Sequence, residues 1–144
     1  MDRYKVEIIV NGYCKSIVAA SLSNGKIIYS LEEYERVSGD MNVLQSLKFL
    51  KGVVEVIEDL EDHLLFQGEY ELSLDRFWYS RRSERYLIAY KEGEGGLLDL
   101  ISQIKPNDYL ISIRDEIRRN NPSNKRLAEI IENKLQEAYH CEIY

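Results

Sequence analysis

The chain has 144 residues, of which 44% are hydrophobic and 31% charged. Such a composition excludes wholesale disorder, and the length suits a single domain over residues 1–144. The net charge of -6 argues against a protein that coats nucleic acid over its whole surface. No apolar run approaches the roughly 20 residues of a membrane helix and no signal-peptide pattern opens the chain, so a cytoplasmic protein without membrane contact is expected. The two cysteines, Cys14 and Cys141, imply no disulfide framework.

Val6, Ile8 and Val10 recur at period two and predict a strand over 5–10, ending in Asn11-Gly12. A second strand is expected over 15–21 and a third over 26–30, joined at Ser23-Asn24-Gly25, which completes an antiparallel meander. Asp40 is placed to cap a helix from Met41, with Val43, Leu44, Leu47 and Leu50 on one stripe and Gly52 as its left-handed end. Val53-Val54-Glu55-Val56-Ile57 reads as a buried strand, which sets an α/β crossover beside the meander. A short helix over 60–66 follows, then an irregular stretch over 70–90 and a loop at 92–96. A helix over 97–104, a strand over 109–113 and a polar connection over 114–121 come next. Asn121-Pro122 opens the last helix, with Leu127, Ile130, Ile131, Leu135 and Ala138 as its apolar stripe.

Several segments succeed one another in a familiar order. They are Val-Glu-Ile-Ile-Val-Asn-Gly (6–12), Met-Asn-Val-Leu (41–44), Glu-Val-Ile-Glu-Asp (55–59), Phe-Gln-Gly-Glu-Tyr (66–70), and 111–114 with Asn120-Asn121-Pro122 and Lys-Arg-Leu-Ala (125–128). Together they resemble the ribonuclease H family. The resemblance implies an α/β ribonuclease H-like fold. Its mixed five-stranded sheet, an antiparallel meander plus parallel strands, carries helices on both sides.

The family's chemistry is hydrolysis of the RNA strand of an RNA–DNA hybrid, with metal ions held by a cluster of carboxylates. The positions that match those carboxylates here are Asn11, Asn42, Glu58 or the adjacent Asp59, and Glu129, displaced along the last helix. Neutral amides hold hard divalent cations poorly, so a degenerate site without catalysis or cofactor is expected. Mg2+ or Mn2+, held at Glu58 and Asp59, belongs to the alternative: a metal-dependent endonuclease with rearranged acids drawn from Asp40, Glu58, Asp59, Asp62 and Glu129. On any chain of this charge, those acids are otherwise solvated surface.

Binding is the expected activity. Arg76, Arg81, Arg82 and Arg85 interleave with Phe77, Trp78, Tyr79 and Tyr86, a pattern that suits phosphate clamping and base stacking on a nucleic acid, either an RNA–DNA hybrid or a duplex. The same pattern also suits a hairpin with its aromatics toward the core. Arg118 and Arg119, with Arg114, Lys125 and Arg126, add a second basic region. A protein partner, or use of the fold as an inhibitor or adaptor scaffold, is the other expectation. Cys14, Cys141, His63 and His140 have the spacing of no usual zinc site.

Overall fold

Short polar side chains start the helices. Asp2 accepts a hydrogen bond from the Lys5 N–H at 3.0 Å, Asn42 from Gln45 at 2.9 Å and Asn107 from Leu110 at 3.0 Å. Each supplies one acceptor that the first turn of a helix lacks. The computed structural model describes residues 1–143. Its elements are α1 (Arg3–Val10), β1 (Ala20–Ser23), β2 (Lys26–Tyr29), β3 (Glu35–Arg36), α2 (Val43–Asp62), β4 (Phe77–Ser80), β5 (Arg85–Ile88), α3 (Leu97–Ser102), α4 (Asp108–Asn120) and α5 (Asn124–Ile143).

Helix α2 is the axis of the molecule. Leu47, Leu50, Val54 and Ile57 are buried along it, and so are Phe49, Val53, Val56 and Leu60. These apolar positions cover far more than one stripe, because α5 packs against α2 and β5 packs against it as well. The expected α5 residues Leu127, Ile130, Ile131, Leu135 and Ala138 are all buried in this core. Fully buried Tyr70 and Tyr90 stand ring to ring, 5.4 Å between centroids.

The mixed five-stranded sheet is not formed. Among the described residues the strands make two small antiparallel sheets, β1-β2 and β3-β4-β5. Three expected strands are helical instead. Residues 5–10 lie in α1, where the Asp2 cap and a hydrogen bond from Asn11 N–H to Glu7 C=O close both ends. Residues 53–57 continue α2, and 109–113 lie in α4. Short apolar runs carry no period that separates strand from buried helix, and burial on two faces overrides the β preference of Val and Ile. Of the strand expected over 15–21, only Ala20 and Ser21 are in β1. Ser16 and Val18 instead bond to Ile88 on β5, where Ile17 makes an isolated parallel bridge.

Gly52 does not end α2. A Cβ there would lie 2.6 Å from Cδ2 of Tyr86, so the glycine lets the β4–β5 hairpin approach the helix axis. The helix ends ten residues later, so of the short helix expected over 60–66 only 60–62 are helical, as the end of α2, and 63–66 are a turn and a non-helical connection. The cap at the other end is Asn42, not Asp40. The final helix begins at Asn124, after Asn121 adopts a left-handed conformation (φ 40°) to close α4. No helix among the described residues is long and apolar enough to cross a membrane.

Candidate functional site

The end of α2 gathers the chemistry-bearing side chains. Asp59 and His63 are four residues apart and therefore share a helix face. Beyond α1 the chain turns through Gly12 (φ 67°), which brings the 14–18 segment against that face. Cys14 Sγ then lies 3.5 Å from Asp59 Oδ2, and the Ser16 N–H donates to the same oxygen at 3.1 Å. His63 Nδ1 is 3.8 Å from Asp59 Oδ1 and 2.8 Å from the Asp59 carbonyl oxygen. Ligand-type atoms of Cys14, Asp59 and His63 all fall within 4.8 Å of one another, and no other such group occurs among the described residues.

Cys14 is 2% exposed, whereas the Asp59 and His63 side chains keep about a quarter of their surface in solvent. Burial pushes the Cys14 thiol up to about 12. The Ser16 N–H opposes that shift and the Asp59 carboxylate adds to it. Burial also raises the Asp59 carboxyl, but hydrogen bonds from Ser16 and Cys14, with His63 close by, hold it below the usual carboxylate range. A thiol raised in this way is no nucleophile, since attack requires thiolate. Fully buried Tyr70 is a neighbour. Burial raises its phenol, as do the charges of Glu61, Tyr90 and Cys14. Its hydroxyl finds no hydrogen-bond partner.

The same end is strongly acidic. Glu55, Glu58, Asp59, Glu61 and Asp62 follow Gly52 with no basic residue among them. Negative charge at a helix C-terminus opposes the macrodipole, and acids at i,i+3 and i,i+4 repel. Glu61 accepts a hydrogen bond from Asn124 Nδ2 at 3.0 Å. Glu55, Glu58 and Asp62 have no ion-pair partner within 4.0 Å among the described residues. Exposed large side chains occur where α2 ends. Tyr4 donates from its hydroxyl to the His63 carbonyl at 2.8 Å, and Tyr13 (63% exposed) precedes Cys14. Leu64 (61% exposed) sits at φ 62°. It closes α2 in the manner of a Schellman glycine, with hydrogen bonds from Leu64 N–H to Glu61 and from Leu65 N–H to Leu60. This turn buries Leu65 and leaves Leu64 and Phe66 outside.

The positions that the ribonuclease H resemblance implies for the metal-holding carboxylates are dispersed. Asn11 closes α1 and Asn42 caps α2. Asn42 and Glu58 sit near opposite ends of one helix, about 24 Å apart along its axis at 1.5 Å per residue. Asp40 lies 3.9 Å from Lys105 Nζ, and Glu129, on α5, pairs with Arg126 at 3.2 Å. Asp59 alone among them enters the Cys14–His63 cluster. Cys141 is exposed on α5, away from that cluster.

The hairpin arginines are largely engaged. Arg76 Nε donates to the Ala89 carbonyl at 2.9 Å, Arg85 to Ser16 Oγ at 2.6 Å, and Arg81 pairs with Glu35. Arg82 is exposed on the turn. Phe77 is buried edge-on to Phe49, Tyr86 packs on Phe49 and Tyr79, and Trp78 is half-buried with the Arg36 guanidinium 5.7 Å from its ring centroid. Arg118 and Arg119 are exposed in the last turn of α4, where positive charge suits the dipole. In the sequence, Cys14 and His63 stand with Cys141 and His140 in no usual zinc spacing, and Asp59 stands apart from them among the carboxylates. The Asp59–His63 spacing of four was visible once 58–63 is helical, whereas the approach of Cys14 was not.

No family model, curated protein or solved structure matches this chain.

Proposed function

We propose that the protein works by binding, and that its ligand is a basic, partly apolar segment of another protein, received at the end of α2. One observation carries this reading. Glu58 and Asp62 stand without ion-pair partners near the C-terminal end of α2, where the dipole opposes them; exposed Leu64 and Phe66 follow directly in the chain, and exposed Tyr4 bonds to the His63 carbonyl. Unneutralised charge next to apolar surface suits a partner that brings cations and aliphatic groups together. The nucleic-acid alternative draws on fewer free groups. Arg76, Arg81 and Arg85 have partners within the protein, which leaves Arg82 on the hairpin and Arg118 and Arg119 on α4.

Fluorescence anisotropy with a labelled peptide of alternating lysine and leucine tests the reading, alongside a glutamate–leucine peptide and a labelled RNA–DNA hybrid. The basic peptide should bind and the acidic one should not. Glu58→Lys with Asp62→Lys should weaken binding about tenfold, equivalent to about 1.4 kcal/mol. Glu32→Lys with Glu94→Lys makes the same change in net charge elsewhere and should have little effect. Equal loss in both variants would mean general charge attraction and would refute the site. Tight hybrid binding abolished by Arg118→Ala and Arg119→Ala would replace this reading with the nucleic-acid one.

A further inference from the structure

We propose that Cys14, Asp59 and His63 form a site for one divalent transition metal ion of the zinc type, with a water molecule in the fourth position. The inference goes beyond the partner-binding reading and stands without it. Distances support it first. A tetrahedral zinc site with bonds of about 2.0–2.3 Å separates neighbouring ligand atoms by about 3.3–3.6 Å. The Cys14 Sγ to Asp59 Oδ2 separation is 3.5 Å and the His63 Nδ1 to Asp59 Oδ1 separation is 3.8 Å. The widest of the three separations stays within 4.8 Å, so closure needs movements of about an ångström, not refolding.

The donor set points to the ion. Thiolate, imidazole and carboxylate together suit zinc or cobalt, whereas Mg2+ takes oxygen ligands. In place of a site without metal, or of the alternative with Mg2+ or Mn2+ at Glu58 and Asp59, the donors favour a softer metal on Asp59 and two different neighbours. The surroundings are those of ligands held in place. Ser16 N–H holds the Asp59 carboxylate, and such an outer contact orients a ligand in a metal site. The Asp59 carbonyl lies 2.8 Å from His63 Nδ1 and gives up that contact when Nδ1 turns to the ion.

Two independent features favour a cation here. Five acids between residues 55 and 62 and the negative end of the α2 dipole concentrate negative potential at this point. Tyr70, whose hydroxyl is buried without a partner, neighbours Cys14 and Glu61. A buried hydroxyl without a partner is costly, so this part of the core has an unmet demand for a polar group. On binding, the Cys14 thiol proton passes to solvent and the sulfur becomes a thiolate ligand. The ion then ties the 14–18 segment to the end of α2.

The test is titration of chelator-treated full-length protein with Co2+ and then Zn2+. Co2+ should bind at one equivalent, with a thiolate-to-cobalt charge-transfer band and d–d bands of tetrahedral intensity. Zn2+ should displace it and raise the unfolding temperature, while millimolar Mg2+ should leave the spectrum unchanged. Cys14→Ser should remove the charge-transfer band. His63→Gln, at a partly exposed position where folding is not at stake, should weaken binding at least about tenfold. His140→Gln with Cys141→Ser should bind as the unsubstituted protein does. The inference is overturned by absence of stoichiometric Co2+ binding. It is equally overturned by binding that survives His63→Gln, or that disappears with His140 and Cys141.

Discussion

Replacing Gly52 by alanine separates two accounts of the middle of the chain. In an exposed helix interior, glycine to alanine stabilises by about 1 kcal/mol. Here the new methyl carbon would stand 2.6 Å from Tyr86 Cδ2 and 3.4 Å from Cγ. Carbon atoms prefer about 3.5–4.0 Å, so the ring must retreat by about an ångström. It has little room to do so, since Phe49 holds it at 5.1 Å and Tyr79 at 5.0 Å between centroids. Overpacking of this kind costs about 1–3 kcal/mol. The propensity gain offsets part of that, and the net expectation is a loss of about 1 kcal/mol, or about 3 °C in unfolding temperature. Urea unfolding followed by circular dichroism measures it. In a Tyr86→Ala background the sign should reverse, with Gly52→Ala stabilising by up to about 1 kcal/mol. A Gly52→Ala protein more stable than its parent would refute the close approach of hairpin and helix. Destabilisation unchanged by Tyr86→Ala would instead favour a chain that turns at Gly52.

The Asp59 carboxyl sits below its ordinary range when folded, so its ionised form favours folding. That contribution is complete above the unfolded value of about 3.9 and is lost as pH falls through the folded value beneath it. Asp59→Asn should therefore be less stable than the parent at pH 7 and approach it in strong acid, measured by urea midpoints across pH; a constant gap would contradict the assignment. Iodoacetamide at pH 8 should modify exposed Cys141 readily and Cys14 only after unfolding, because burial holds the Cys14 thiol near 12. Mass spectrometry of the two peptides reads the difference, and comparable labelling of both in the folded protein would count against the buried thiol. Leu64→Gly should stabilise by about 0.5–1 kcal/mol, since glycine reaches the left-handed turn without strain. A loss of stability there would mean that the exposed leucine contributes packing.

Local chemistry was legible in the sequence wherever it acts over a few residues. Asn24 and Gly25 both adopt positive φ, 52° and 76°, and this Asn-Gly pair joins β1 to β2 as its turn chemistry requires. The stripe from Leu127 to Ala138 repeats at helical spacing over several turns, long enough for one period to prevail. The loop at 92–96 and the helix from Leu97 follow from glycine content and from apolar spacing. The acidic character of the first half, thirteen acids against seven bases over 1–72, is likewise plain in the residues.

Tertiary structure decided what those signals left open. Val53-Val54-Glu55-Val56-Ile57 carries β-branched residues that favour a strand, yet α5 and β5 both pack on α2 and bury Val53, Val54, Val56 and Ile57 within a helix. Residues 109–113 were equally ambiguous, and the Asn107 cap together with burial of Leu110 and Ile113 made them helical. With those strands gone, the carboxylate positions implied by the ribonuclease H resemblance no longer converge, since Asn42 and Glu58 occupy one helix. The pairing of Asp59 with His63 needs only a helix and four residues. The arrival of Cys14 needs α1 to fold, Gly12 to turn the chain and Ser16 to dock on β5, 45 residues away in sequence from the carboxylate that Cys14 meets. A contact of that range has no local signature. It exists because burying Ile8, Ile9 and Ile17 against the core carries the thiol with them.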